Sequence, residues 1–307
     1  MKLFTTIIIV ISIHFHAHGQ LADRGPKREL LKGYKKITSR TYSGNKDSAS
    51  VSVSLVNELG YIIRSEHYDK SGGLVSWIKH EYYADGLIKY EEDHGQVFQY
   101  DEQVKDLVGK IRDDTYNAKM FEYKDKLLTK EVWVQAGEGY KNYNYSITYE
   151  YDKSKRLIKE VYTNKYTGPV VTFKPSTAIA DSSFNKDEVT QWIRTSSYKS
   201  DTVIIANYND NNSVESYSII KLSSTKKPVS ILSVDNLKKP IEVSSMTYDK
   251  NDNLIRETNR IIDTGKINYD KMAGDDIRIV YNEKKLPIMR LVRENGKVIS
   301  TTEIKYE

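Results

Sequence analysis

The chain has 307 residues, 29% charged and 38% hydrophobic, with a formal net charge of +5, six Phe, 24 Tyr and no Cys. That length allows a sizeable core, so disorder is not the expected state, and the lack of cysteine excludes both a disulfide framework and a lipid-anchored cysteine. Basic residues gather only in short clusters such as Lys35-Lys36 and Lys238-Lys239 among interspersed acids, which speaks against nucleic acid as a partner.

Residues 1–19 carry Lys2, an apolar run from Leu3 to Ile13, and small residues at Ala17 and Gly19. This reads as a secretory signal peptide cut before Gln20. The apolar run is too short to span a bilayer and no later segment is more apolar, so the mature chain is expected to be exported, without a transmembrane segment, to the periplasm, the outer surface or the medium. His14, His16 and His18 alternate as metal ligands on a strand would, but they leave with the signal.

From residue 20 to 162 a degenerate repeat runs along the chain. An aromatic residue and Asp or Asn are followed by a polar turn, an aliphatic residue and a charged alternating strand. Clear copies are Tyr68-Asp69-Lys70-Ser71-Gly72-Gly73-Leu74 and Tyr151-Asp152-Lys153-Ser154-Lys155-Arg156-Leu157; weaker ones are Tyr83 to Leu87 and Tyr123-Lys124-Asp125-Lys126-Leu127. Within this block, Val104, Leu107, Val108 and Ile111 fall at helical spacing behind Asp101, so 101–116 also admits a short helix. Residues 163–187, with Gly168-Pro169 and Lys174-Pro175, read as a linker or long loop. A second repeat block, 188–307, holds Tyr208-Asn209, Tyr248-Asp249-Lys250-Asn251-Asp252-Asn253-Leu254 and Tyr281-Asn282. Aliphatic anchors such as Val229, Ile241, Leu254 and Ile267 recur every dozen residues or so, one strand plus one turn. Asp or Asn in each turn can accept bonds from amides two residues on, and glycines supply positive φ.

The Tyr-Asp-x-x-Gly-x-Leu pattern resembles the YD repeats of RHS and teneurin-type proteins, and more loosely MORN-like repeats, over Tyr34 to Tyr306. Large members of that family wrap the repeat into a hollow β shell. This much shorter chain has no recognisable toxin or self-cleaving core. The resemblance, with the strand spacing, therefore implies an all-β protein whose antiparallel meander of YD-like hairpins forms a large, curled, open sheet.

The densest aromatic stretch is a candidate ligand-binding face. Tyr143, Tyr145, Ile147, Tyr149 and Tyr151 alternate with Asn144, Ser146, Thr148 and Glu150, so on a strand the tyrosines share one side and either stack on a ligand or pack as core. Trp77, Trp133 and Trp192 read as packing residues. Asp249, Asn251 and Asn253 have calcium-loop spacing, but Leu254 and Arg260 stand where such a loop needs Gly and Glu. His67, His80 and His94 are the histidines of the mature chain and lie among carboxylates, as surface histidines do. No nucleophile, phosphate or dinucleotide motif occurs, so no catalytic residue, metal or cofactor is assigned. The preferred expectation is a non-enzymatic envelope module that binds a glycan, a peptide or an envelope protein. An assembly or toxin-neutralising partner protein, and a hydrolase of cell-surface polymers, are the rivals.

Overall fold

A computed structural model describes residues 28–43, 49–101, 106–111, 116–136, 143–166, 188–209, 211–262 and 276–307. The segment read as a signal peptide and residues 167–187 of the expected 163–187 linker lie outside the described residues, while 163–166 belong to a strand. After a four-residue helix α1 (Arg28–Leu31) the described chain is nearly all β. The first run is β1 (Lys36–Ser43), β2 (Ala49–Val56), β3 (Ile62–Tyr68), β4 (Leu74–Tyr82), β5 (Ile88–Asp101), β6 (Asp106–Ile111), β7 (Tyr116–Lys124), β8 (Leu127–Ala136), β9 (Tyr143–Tyr151) and β10 (Leu157–Tyr166). It continues with β11 (Glu188–Lys199), β12 (Thr202–Tyr208), β13 (Val214–Leu222), β14 (Pro228–Asp235), β15 (Pro240–Tyr248), β16 (Leu254–Ile261), β17 (Asp276–Tyr281), β18 (Pro287–Glu294) and β19 (Lys297–Tyr306).

Each strand pairs antiparallel with its neighbour in sequence, with one detour. Strand β5 pairs with β7 through Tyr90 to Asp93, while its end beyond Gly95 pairs with β6. The ring then closes: β1 pairs with β19 from Ile37↔Tyr306 to Ser43↔Ser300. The architecture is a closed barrel of 18 antiparallel strands, which corrects the open, curled sheet expected from sequence. The physical reason is edge count and size. Twisted open sheets rarely exceed about ten strands, and an open sheet would leave two unpaired edges, which closure removes. Within the described part of 101–116 the helical alternative is also overturned, since Asp106–Ile111 is the strand β6 paired to β5.

The seam is tightly bonded. Lys35 and Lys36 donate their amides to the Glu307 carbonyl at 2.7 and 3.0 Å, and Glu307 donates back to Lys36 at 2.9 Å. Leu31 of α1 packs with Ile37, Val56 and the fully buried Leu286 over the seam.

Both ends of the described barrel, and the turns after β2, β4, β7, β9, β11, β13, β15 and β17, lie at one mouth, called here the near mouth. Its order comes from the repeat. Tyrosines closing one strand donate their hydroxyls to the carbonyl that opens the strand before it. Such bonds run from Tyr82 to Ile62 (2.7 Å), Tyr151 to Leu128 (2.9 Å), Tyr198 to Leu157 (2.9 Å), Tyr248 to Pro228 (2.9 Å), Tyr281 to Leu254 (3.0 Å) and Tyr306 to Pro287 (2.9 Å). Each ties a near-mouth turn to the preceding one, and a Phe has no group for it.

The two faces differ. Inward-pointing residues include the buried Ile37, Glu131, Ile147, Tyr149, Glu160, Tyr162, Arg194, Val203, Ile205, Ile220 and Ile231. On this wall an aliphatic cluster runs from β12 to β16, small hydroxyls line β1 to β4, and aromatic and charged groups line β8 to β11. The outward face alternates apolar residues with ion pairs in mid-strand, among them Arg64–Glu66, Lys79–Glu81, Lys159–Glu150 and Arg256–Asp276. A barrel of this strand number is wide enough to enclose a lumen.

Candidate functional site

The alternation on β9 holds, and it splits the tyrosine ladder into parts with different roles. Tyr145, Ile147 and Tyr149 point into the barrel; the side chain of Tyr143 lies outside the described residues. Tyr149 is 6% exposed and Tyr162 on β10 is 1% exposed, so these two rings are core. Tyr162 stacks on Trp192 at 5.4 Å, and Tyr145 meets Trp133 edge-on at 5.8 Å and Trp192 at 5.7 Å.

Two carboxylates sit within this aromatic wall. Glu131, fully buried, accepts bonds from Trp133 Nε1 and, at 3.0 Å, from the Tyr149 hydroxyl. Glu160 accepts from the Tyr162 hydroxyl at 3.2 Å and from Arg194 Nη1 at 3.3 Å, and Arg194 Nε donates to Asn207 at 2.9 Å. Burial first, then the charges of Glu131 and Glu160, push the Tyr149 hydroxyl far above its ordinary pKa, so it stays a donor at neutral pH. A buried carboxylate is tolerable only when bonded and paired in this way. The arrangement fixes rings and charges; Glu131 has no exposed surface from which to move a proton to or from a ligand.

Tyr151, the last member of the ladder, stands apart. It lines a near-mouth pocket of about 420 Å³ with Tyr123, Tyr198, Leu127, Leu128, Leu157 and, at the lumen side, Glu160 and Ser196. Lys126, Lys155 and Arg156 complete the lining. Three consecutive hairpin units build it: the turns after β7, β9 and β11. The hydroxyls of Tyr151 and Tyr198 are held by the carbonyl bonds described above, so their rings are fixed and their faces remain for contact. Burial first, with Glu131 next, pushes the Tyr123 hydroxyl up to about 12. Arg156 lies over the Tyr198 ring, 4.7 Å from its centre, and pairs with Asp152 at 2.7 Å. Sequence reasoning picked out Tyr151 but missed Tyr123 and Tyr198. Tyr123 carried a signal, as the first residue of a recognisable repeat copy.

The other candidates are structural. Asp249 Oδ1 accepts the amides of Asn251 and Asn253, an Asx turn. His67 and His80 face inward; His67 bonds Ser52 at 2.8 Å, and His80 lies 3.5 Å from Glu91. Burial opposes ionisation of Glu91, but His80 and Lys119 outweigh it and hold its carboxyl at about 2. His94 faces outward, stacked 3.9 Å from Trp77 and 2.6 Å from Glu92. Among the described residues, no three metal-ligating side chains converge, and no helix is long and apolar enough to cross a membrane.

No protein-family model and no curated protein matches the chain. Among solved structures it is similar to a porin-like protein from Bacteroides uniformis ATCC 8492, with 9% identity over 90% of this chain and 99% of that one, at a TM-score of 0.36. It is also similar to TcdB2-TccC3, with 14% identity over 85% of this chain and 15% of the other, at a TM-score of 0.34.

Proposed function

We propose that the chain is an exported, non-enzymatic binding protein of the cell envelope, whose ligand seats in the near-mouth pocket between Tyr123, Tyr151 and Tyr198. The observation that carries this reading is the pocket itself. In the neighbouring β9–β10 wall the rings are buried against one another, whereas here fixed rings and leucines border about 420 Å³ of open space. Ring faces held rigid by hydroxyl bonds suit a glycan or a peptide, because little side-chain freedom is lost on contact. The repeat, with its YD-like pattern, is then the frame that sets these rings side by side.

The outward face supports a barrel standing in water and not in lipid. A membrane barrel needs an apolar band about 25 Å tall, and each Lys or Arg near its midplane costs about 2–4 kcal/mol. Lys79, Arg64, Lys159, Arg256 and Arg278 all lie in strands on this face, 36–49% exposed at their side chains.

The test is retention of envelope glycans, cell-wall fragments and peptides on the immobilised mature protein. Retention that survives Tyr151→Phe and is lost in Tyr151→Ala is the expected result, since the ring face is the binding element. No retention of any component, or equal retention by the Ala variant, would contradict the proposal.

A further inference from the structure

Two of the turns that frame the pocket place a lysine beside it. Five-residue loops on this barrel share one geometry. The first residue's amide bonds the carbonyl four positions on, and the fourth residue bonds back and has positive φ. Glycine holds that fourth slot at Gly60, Gly72 and Gly86, and lysine holds it at Lys226, Lys238 and Lys285. In the turn after β9 it is held by Lys155, at φ 60°, and in the two-residue turn after β7 Lys126 sits at φ 65°.

Both lysines line the pocket. Among the described residues neither has an ion-pair partner, whereas the other charges there are answered: Arg156 by Asp152 and Glu160 by Arg194. The pocket therefore combines aromatic faces, apolar sides and two uncompensated ammonium groups at its rim. Building on the binding role above, we infer that the ligand is an acidic saccharide, one sugar ring lying on Tyr151 or Tyr198 and its carboxylate or sulfate reaching Lys126 and Lys155. The ring faces supply stacking, as they would for any sugar, and the lysines select for the anion.

The mature protein is titrated with trigalacturonate and its methyl ester, and with chondroitin sulfate disaccharide and its desulfated form, following the heat of binding. The variant is the double substitution Lys126→Gly, Lys155→Gly, which removes both charges while suiting the backbone, so its melting temperature should hold or rise. The expected result is binding of at least one acidic sugar ten-fold or more tighter than its neutral form, and a loss of ten-fold or more in the variant. Equal affinity for acidic and neutral forms, unchanged affinity in the folded variant, or no binding of either acidic sugar would overturn the inference. Retention of a neutral glycan or a peptide that depends on the Tyr151 ring would leave the binding role standing while this inference fails.

Discussion

The excess of tyrosine over phenylalanine has its explanation at single hydroxyls. A half-buried ring with a wet end is what the composition suggests, but the hydroxyls of Tyr82, Tyr151, Tyr198, Tyr248, Tyr281 and Tyr306 go to particular backbone carbonyls. Sequence cannot show this, because the acceptor lies on another strand about 19 to 41 positions away and any residue can supply it. The Tyr248 bond to the carbonyl of Pro228, itself among the most deeply buried residues, is a clean case. Tyr248→Phe keeps the ring and leaves that carbonyl unanswered, so unfolding in urea should show a loss of about 1 kcal/mol with an unchanged slope. The tyrosine ladder was legible as a shared face, while the division between the buried Tyr149 and the pocket-lining Tyr151 was not. That division depends on where the strand ends relative to the mouth.

At the level of turns and strands the sequence was far more readable. Asp or Asn at the first loop position does what its chemistry suggests: Asp69, Asp152, Asn209 and Asp249 each accept amides two and four residues on. These bonds favour the ionised form. The Ser71 hydroxyl and Gly73 amide lower the Asp69 pKa, and the Arg156 amide lowers that of Asp152. Burial resists the same shift at Asp249 and is outweighed by Asn253. A carboxyl with a depressed folded pKa contributes stability above its unfolded value, about 3.9, and loses it as pH falls through the folded value. Thermal stability should therefore be flat from pH 5 upward on account of these groups and decline below about pH 4. Asp152→Asn, which copies the natural Asn209 turn, should weaken that acid dependence without disrupting the fold; an unaltered acid profile would count against the role given to these turns. The helical alternative at 101–116 shows the limit of periodicity. Leu107, Val108 and Ile111 suit a short apolar strand as well as a helix turn, and pairing with β5 decides it.

Closure belongs to the whole molecule and was the least legible feature. Repeats of a dozen residues specify one hairpin after another, but nothing in a single copy counts to 18 or marks the last strand as partner of the first. The meander was readable; its return to β1 was not, because it rests on contacts between residues some 260 positions apart, such as Thr41 and Thr302, whose hydroxyls lie 3.0 Å apart. The pocket depends on the same ring, since its three turns face one mouth only when the strands curve together. The chain has no cysteine, so a designed pair reports this contact without background. Thr41→Cys with Thr302→Cys should form an intramolecular disulfide under mild oxidation, seen by mass and by faster migration of the unreduced chain. If the two thiols stay free in the folded protein, or link only between molecules, the closed barrel is contradicted.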